Sequence, residues 1–415
     1  MHAGAFVPSL PWALPFVGLL LAIAILPLAT PRFWESNARK LGVAAVLALP
    51  VLVLYLRARP EALAHAAVDY VSFIVLLGGL FVISGGIMLE GDLEATTRTN
   101  VLLLGAGALL ASFVGTTGAS MLLIRPLLQT NRERKRVAHT VVFFIFLVSN
   151  IGGCLTPLGD PPLFLGYLIG VPFLWTLRLF VPWLFTVALV LAVYAVWDGR
   201  ERAREQPADL KRDFYEVRRL RIAGKENLVL LAGVLAAVAF LGAPWRELAI
   251  VGLSALAYRR TDPQLRLANR FTFHPILEVA ALFAGIFVTM LPALDILRAH
   301  GAALGVREPW QFFWATGALS SFLDNAPTYL TFLALAKGLG LAPEVVGVPH
   351  EVLVGISLGA VFMGANTYIG NGPNFMVRAI AEERGVAMPS FGGYMLYSAA
   401  VLLPIFVIVT LVFFR

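Results

Sequence analysis

Apolar residues in this chain come in long blocks rather than alternating with polar ones. The blocks near 10–29, 41–56, 70–89, 176–197, 226–242, 245–258, 273–294 and 391–414 reach or approach the roughly 20 residues that a helix needs to cross a hydrocarbon core. Each predicts one crossing. Two longer tracts, 138–172 and 351–383, are apolar at their ends but carry Asn, Gly and Pro in the middle, so each predicts a crossing whose helix is broken. Two further tracts, 100–128 and 310–337, are interrupted by GTTG (115–118) and DNAP (324–327) and predict re-entrant hairpins that enter and leave on one side.

Composition supports the same class. Of 415 residues, 59% are hydrophobic and 14% charged, against roughly 25% charged in a soluble domain. The expectation is an all-α polytopic membrane protein. The first apolar block has no Lys or Arg before it and no small-residue cleavage site after it, which favours a retained crossing over a secretory signal. A single cysteine, Cys154, excludes an intramolecular disulfide and a cysteine zinc cage, and its apolar neighbours suit packing. The formal charge of +7 is read as a topology signal, and no nucleic-acid partner is expected.

Position matters more than sum for the basic residues. With both interrupted tracts as hairpins, 24 of the 32 Lys and Arg fall on the cytoplasmic side, including the clusters in 98–136 and 200–225. This agrees with the positive-inside rule and puts both termini on the non-cytoplasmic side. Aligning ALLASFVGTTGASMLL (108–123) with GALSSFLDNAPTYLTF (317–332) matches Ser112–Phe113 to Ser321–Phe322 and brings the two tips into register. SNIGGCLTPLGDPP (149–162) then falls opposite ANTYIGNGPN (365–374). Each half contains five crossings and one hairpin. Five is odd, so the second half starts from the opposite side and the repeats are inverted. The expected organisation is a first repeat at 1–197, a cytoplasmic linker at 198–225 and a second repeat at 226–415.

The candidate chemistry lies in four breaks at membrane depth, 115–118, 150–162, 324–327 and 366–373. Broken backbone exposes amides and carbonyls that lipid cannot satisfy, and in transporters built from inverted repeats such breaks converge near the midplane. Asp160 and Asp324 are the only carboxylates in these breaks, and an intramembrane carboxylate is a functional-site hypothesis by default. Hard oxygen donors surround them in sequence: Thr116, Thr117, Ser149, Asn150, Thr156, Asn325, Asn366, Thr367 and Asn371. This set suits sodium better than a soft transition metal. The competing reading is structural. Asp160 and Asn371 stand just before proline, where they could merely cap half-helices, and hydroxyls and amides could merely tie helices together. Glu278, Asp295, Arg125 and Arg378 are weaker candidates, the two arginines reading more readily as interfacial anchors.

At these motifs the chain resembles the ion-transporter superfamily: bacterial sodium/proton antiporters, arsenite efflux permeases, citrate carriers and sodium-coupled dicarboxylate carriers. FLDNAP (322–327) resembles the Asp-Asn-x-Pro tip of the antiporter and arsenite branches, and SNIGGCLTPLGDPP resembles their broken-helix motif. The resemblance implies a site drawn from Thr116, Thr117, Asn150, Thr156, Asp160, Asp324, Asn325, Asn366, Thr367 and Asn371. It also implies a homodimer in the bacterial inner membrane and an elevator-like movement of the hairpin-bearing domain. The first tip departs from the carboxylate carriers, with Gly-Thr-Thr in place of Ser-Asn-Thr.

The leading expectation is a secondary sodium/proton antiporter whose carboxylates, Asp324 and Asp160, exchange protons for sodium. The alternative is a carrier of citrate or another oxyanion, arsenite included, bound at half-helix N-termini. No resident cofactor is expected, sodium and protons being transported or coupling ions. An embedded hydrolase would need a nucleophile or metal cluster, and the six histidines are scattered along the chain, so no enzyme is expected.

Overall fold

A computed structural model describes residues 6–208, 213 and 217–415. The protein is an all-α polytopic membrane protein, with seven helices long and apolar enough to cross a bilayer among the described residues. Both interrupted tracts are helical hairpins. The first has arms Thr97–Val114 and Thr116–Thr130, and the second Pro309–Ser320 and Asn325–Gly338. Gly115 alone turns the first tip, at φ +82°, a conformation that costs a residue with a Cβ. The two long broken tracts are helix, irregular turn, helix. One runs Ala138–Leu147, Ile151–Cys154 and Pro161–Leu168, the other His350–Met363, Gly364–Asn366 and Gly372–Glu383.

Three long helices, Asn37–Ala58, Pro60–Ser84 and His274–His300, pack into a scaffold beside these broken elements. Phe73 stacks on Phe283 with ring centroids 4.7 Å apart, and a Cβ on Gly285 would lie 2.7 Å from that of Ala44. Two acids with sequence-level site potential are used here. Glu278 pairs with the buried Lys40 at 2.6 Å, and Asp295 accepts from the Tyr55 hydroxyl at 2.7 Å and Arg59 at 3.0 Å.

The crossing expected at 70–89 is instead Pro60–Ser84, stopped by Gly85-Gly86. Beyond it, Met88–Asp92 forms an antiparallel ribbon with Arg218–Ala223 of the linker, which the apolar pattern did not predict. The pairing has a charge logic, since Glu90 faces Arg221 and Asp92 faces Arg218, and opposite charges across strands favour pairing. The ribbon fixes the linker against the Ser84 end of the scaffold and so defines a linker face and a far face.

On the linker face Asp198 is wholly buried among partners from three elements. Its carboxylate accepts from Arg134 at 2.7 Å, lies 2.9 Å from His139 Nε2, and accepts from the Thr97 hydroxyl at 2.6 Å. It joins the first hairpin, the first broken tract and the helix Phe180–Arg202. Asp198→Asn would leave Arg134 buried without its counter-charge, at a cost of about 3–5 kcal/mol. A clear drop in unfolding temperature in detergent is expected, whereas Arg200→Gln on the exposed side should leave it within the measurement error.

Candidate functional site

Every break places the start of a helix at one point. Thr116 opens the second arm of the first hairpin and Asn325 that of the second, while Asp160 and Asn371 immediately precede the half-helices Pro161–Leu168 and Gly372–Glu383. Two of these half-helices, Pro161–Leu168 and Asn325–Gly338, pack side by side and run toward the far face, with Gly166 set against the Tyr329 hydroxyl. The other two, Thr116–Thr130 and Gly372–Glu383, pack together and run toward the linker face. Proline in the first turn suits two of these starts, because the amide it removes has no partner there anyway.

Asp160 is the centre of the convergence. It is 1% exposed, and its carboxylate is held by Thr116 Oγ1 at 2.9 Å, Asn325 Nδ2 at 2.5 Å and Asn371 Nδ2 at 3.3 Å. Capping does not account for it. The Asp160 side chain makes no hydrogen bond to its own helix, and Asn371 also declines its capping position, donating to the Ser149 carbonyl at 3.1 Å. Asp324 behaves differently, because it accepts from the Ala326 amide at 3.0 Å and so caps the arm that Asn325 begins. The two carboxylates that sequence treats alike therefore occupy different chemical positions.

The remaining candidates brace the site. Thr156 Oγ1 donates to the Ser112 carbonyl, and Thr367 Oγ1 donates to the Ser321 carbonyl, so the same bond ties each break to its hairpin. Both threonines also accept from the chain two residues on, at 3.2 Å in each case. Asn366 donates to Ser321 Oγ at 2.9 Å. Asn150 donates to the Ile145 carbonyl at 2.8 Å and to Asn374 Oδ1 at 2.7 Å, which links the two broken tracts. In each break the chain folds back on itself so closely that a Cβ on Gly159 would lie 2.3 Å from the Gly153 oxygen, and one on Gly370 2.5 Å from the Gly364 oxygen. Thr117 is not among the Asp160 partners. It lines a cavity of about 90 Å³ between the first tip and the scaffold residues Leu77, Leu80 and Val279.

Asn374 was missed. It accepts from Asn150 and donates to the Gly364 and Thr367 carbonyls at 2.8 and 2.9 Å. Its signal was its place at the end of ANTYIGNGPN, where an Asn three residues after Asn371 faces back into the break. Arg125 donates to the Asn269 carbonyl, and Arg378 pairs with Glu382 and lies over the Tyr368 ring. Neither contacts Asp160 or Asp324.

Three amides share one pattern. Asn150, Asn325 and Asn366 each give their NH₂ to an oxygen acceptor, which fixes the orientation, and each leaves a buried Oδ1 that accepts no hydrogen bond among the described residues. Buried oxygens without donors are uncommon and suit a cation ligand. Among the described residues no three His, Cys, Asp or Glu side chains group as metal ligands.

A protein family described as "Putative citrate transport" matches the chain over residues 6–414. No curated protein matches it.

The Asp160 donors form a coupled set. Thr116→Val and Asn325→Leu should each destabilise the protein by about 1–3 kcal/mol, the cost of a buried carboxylate losing a donor. In an Asp160→Asn background the same changes should cost clearly less. A double-mutant cycle on thermal unfolding in detergent measures the difference, and additive costs would dissociate these donors from the carboxylate.

Proposed function

The chain belongs to the citrate-transport family by a match that spans it almost end to end, and on that premise we propose that it is a secondary transporter that couples a citrate-class carboxylate to a cation or proton held at Asp160. The observation that carries this reading is the convergence of four helix starts on one buried carboxylate with no basic partner among the described residues. Helix starts attract anions, and Asp160 supplies the opposing charge. A sodium ion or proton on Asp160 would cancel that charge, and the helix starts would then favour a substrate carboxylate. Binding of the two is thus linked by sign, which is what coupling requires. The orphaned oxygens of Asn150, Asn325 and Asn366 support sodium as the coupling ion.

The second reading is sodium/proton antiport with no organic cargo. It is favoured by Asp160 and Asp324 lying in adjacent breaks, since two charges of one sign in a poorly screened site disfavour an anion. As parts of the same proposal we keep the inverted halves 1–197 and 226–415, read from the crossing count and the aligned motifs, and a homodimer with an elevator-like motion, implied by the resemblance, in a bacterial inner membrane. Support for the repeats is the matched pair of bonds from Thr156 to Ser112 and from Thr367 to Ser321.

Labelled citrate uptake into proteoliposomes under an imposed sodium or proton gradient tests the reading. Accumulation should follow one of the gradients, and Asp160→Asn should abolish it while the variant remains folded by thermal unfolding. A wild-type protein that takes up no citrate yet dissipates a pH gradient on addition of sodium would replace this reading with antiport.

A further inference from the structure

On the far face, a cavity of about 230 Å³ separates the scaffold helices Pro60–Ser84 and His274–His300 from the half-helices Pro161–Leu168 and Asn325–Gly338. Its inner wall includes Leu165 and Leu330, each about 7 Å along its helix from the start at the Asp160 site, at 1.5 Å per residue. Its titratable lining is Arg59, His65, Asp69, Arg298 and Lys337. Arg59 and Arg298 share Asp295, at 3.0 and 3.5 Å, and Arg59 also reaches Glu61 at 3.4 Å. His65 Nδ1 lies 2.7 Å from the Glu61 carbonyl oxygen. Lys337 and Asp69 form no ion pair among the described residues, and they belong to opposite walls, Lys337 to the second hairpin and Asp69 to the scaffold. A Cβ on Gly338 would lie 2.6 Å from the carbonyl oxygens of Leu297 and Arg298, so the Lys337 turn sits directly against the end that carries Arg298.

We propose that this cavity is an anion-capturing vestibule in which Lys337, backed by Arg298, draws the carboxylate substrate toward the helix starts at Asp160. The proposal rests on the citrate reading of the site. A lysine whose charge no carboxylate among the described residues neutralises, in a cleft with low-dielectric walls, raises the local concentration of small anions and their rate of entry. The apolar floor of Leu165, Leu168, Leu330 and Leu333 offers an anion no competing hydrogen bonds and leaves the basic rim as its one favourable stop. Asp69 on the facing wall limits how tightly the stop can hold, as passage needs a site weak enough to leave.

Citrate transport by full-length protein in proteoliposomes, at low and high ionic strength, tests this. Lys337→Gln should raise the KM for citrate several-fold at about 10 mM salt and leave the maximal rate within about two-fold, with the difference shrinking at about 0.5 M salt as screening takes over. Lys337→Arg should restore the wild-type KM, and Asp69→Asn should lower it. An unchanged KM for Lys337→Gln at low salt, or shifts of the same sign for Lys337→Gln and Asp69→Asn, would overturn the vestibule. Citrate-induced thermal stabilisation separates it from the transport reading. Stabilisation that Lys337→Gln abolishes, in a protein without citrate uptake, would sink the transport reading and keep the vestibule. Neither uptake nor stabilisation would overturn both.

Discussion

A buried carboxylate held only by uncharged donors at the meeting of four helix starts is the constraint on which this structure turns. Each helix start carries about half a positive charge, and Asp160 is the carboxylate against which they are set. The carboxylate would be costly at this depth without them, and four bare helix starts would be costly without it. Much of the local sequence serves this mutual dependence. Gly115 turns the tip that delivers Thr116, and Gly159 and Gly370 permit the chain to double back within each break. The threonine bonds to Ser112 and Ser321 then tie each doubled-back segment to its own hairpin.

Much of this was legible before the structure, because in a membrane the breakers of helices are conspicuous against apolar sequence. GTTG and DNAP located both tips, and the Asn, Gly and Pro runs located both broken tracts to within a few residues. The ranking of the two carboxylates was not legible. Asp160 and Asp324 each precede a helix start, and only the side-chain torsion decides that Asp324 turns to its own Ala326 amide while Asp160 turns away to Asn325 and Asn371. Asn374 was hidden for the converse reason, since an Asn inside the first turn of a helix reads as ordinary polarity until Asn150 is brought opposite from more than two hundred residues away.

The linker ribbon and the extension of Pro60–Ser84 escaped a reading based on apolar runs. Residues 60–69 carry Glu61, His65 and Asp69, so their helix continues past the apolar block and lines the far-face cavity. The strand Arg218–Ala223 acquires its partner through backbone pairing with Met88–Asp92, reinforced by opposite charges at Glu90–Arg221 and Asp92–Arg218, and no periodicity within either segment announces it. The ribbon is a contact between distant segments, which single-chain patterns register poorly, and the helix extension is polar and so lies outside any apolar run.

The distribution of polar bonds bears on which parts can move. Asn325 to Asp160, Asn150 to Asn374, and Asn371 to Ser149 all cross between the two halves, and all are buried. Withdrawing the second hairpin alone would strand Asn325 and Asp160, and parting the two broken tracts would strand Asn150, Asn374 and Asn371, each at about 1–3 kcal/mol. The border with the scaffold is different. It is formed along both cavities chiefly by Leu77, Leu80, Val279, Met290 and Leu294 facing Leu158, Leu165 and Leu330. Sliding along such a border exchanges one apolar contact for another, and the directional bonds it must break lie outside the two cavities, among them Arg125 to the Asn269 carbonyl, Arg270 to Glu383 and Tyr167 to the Val238 carbonyl. On the proposed transport reading, alternating access at Asp160 would be cheapest if both hairpins and both broken tracts travelled as one body past Pro60–Ser84 and His274–His300. That body would take the coupling carboxylate and its donors from one cavity toward the other without dismantling them.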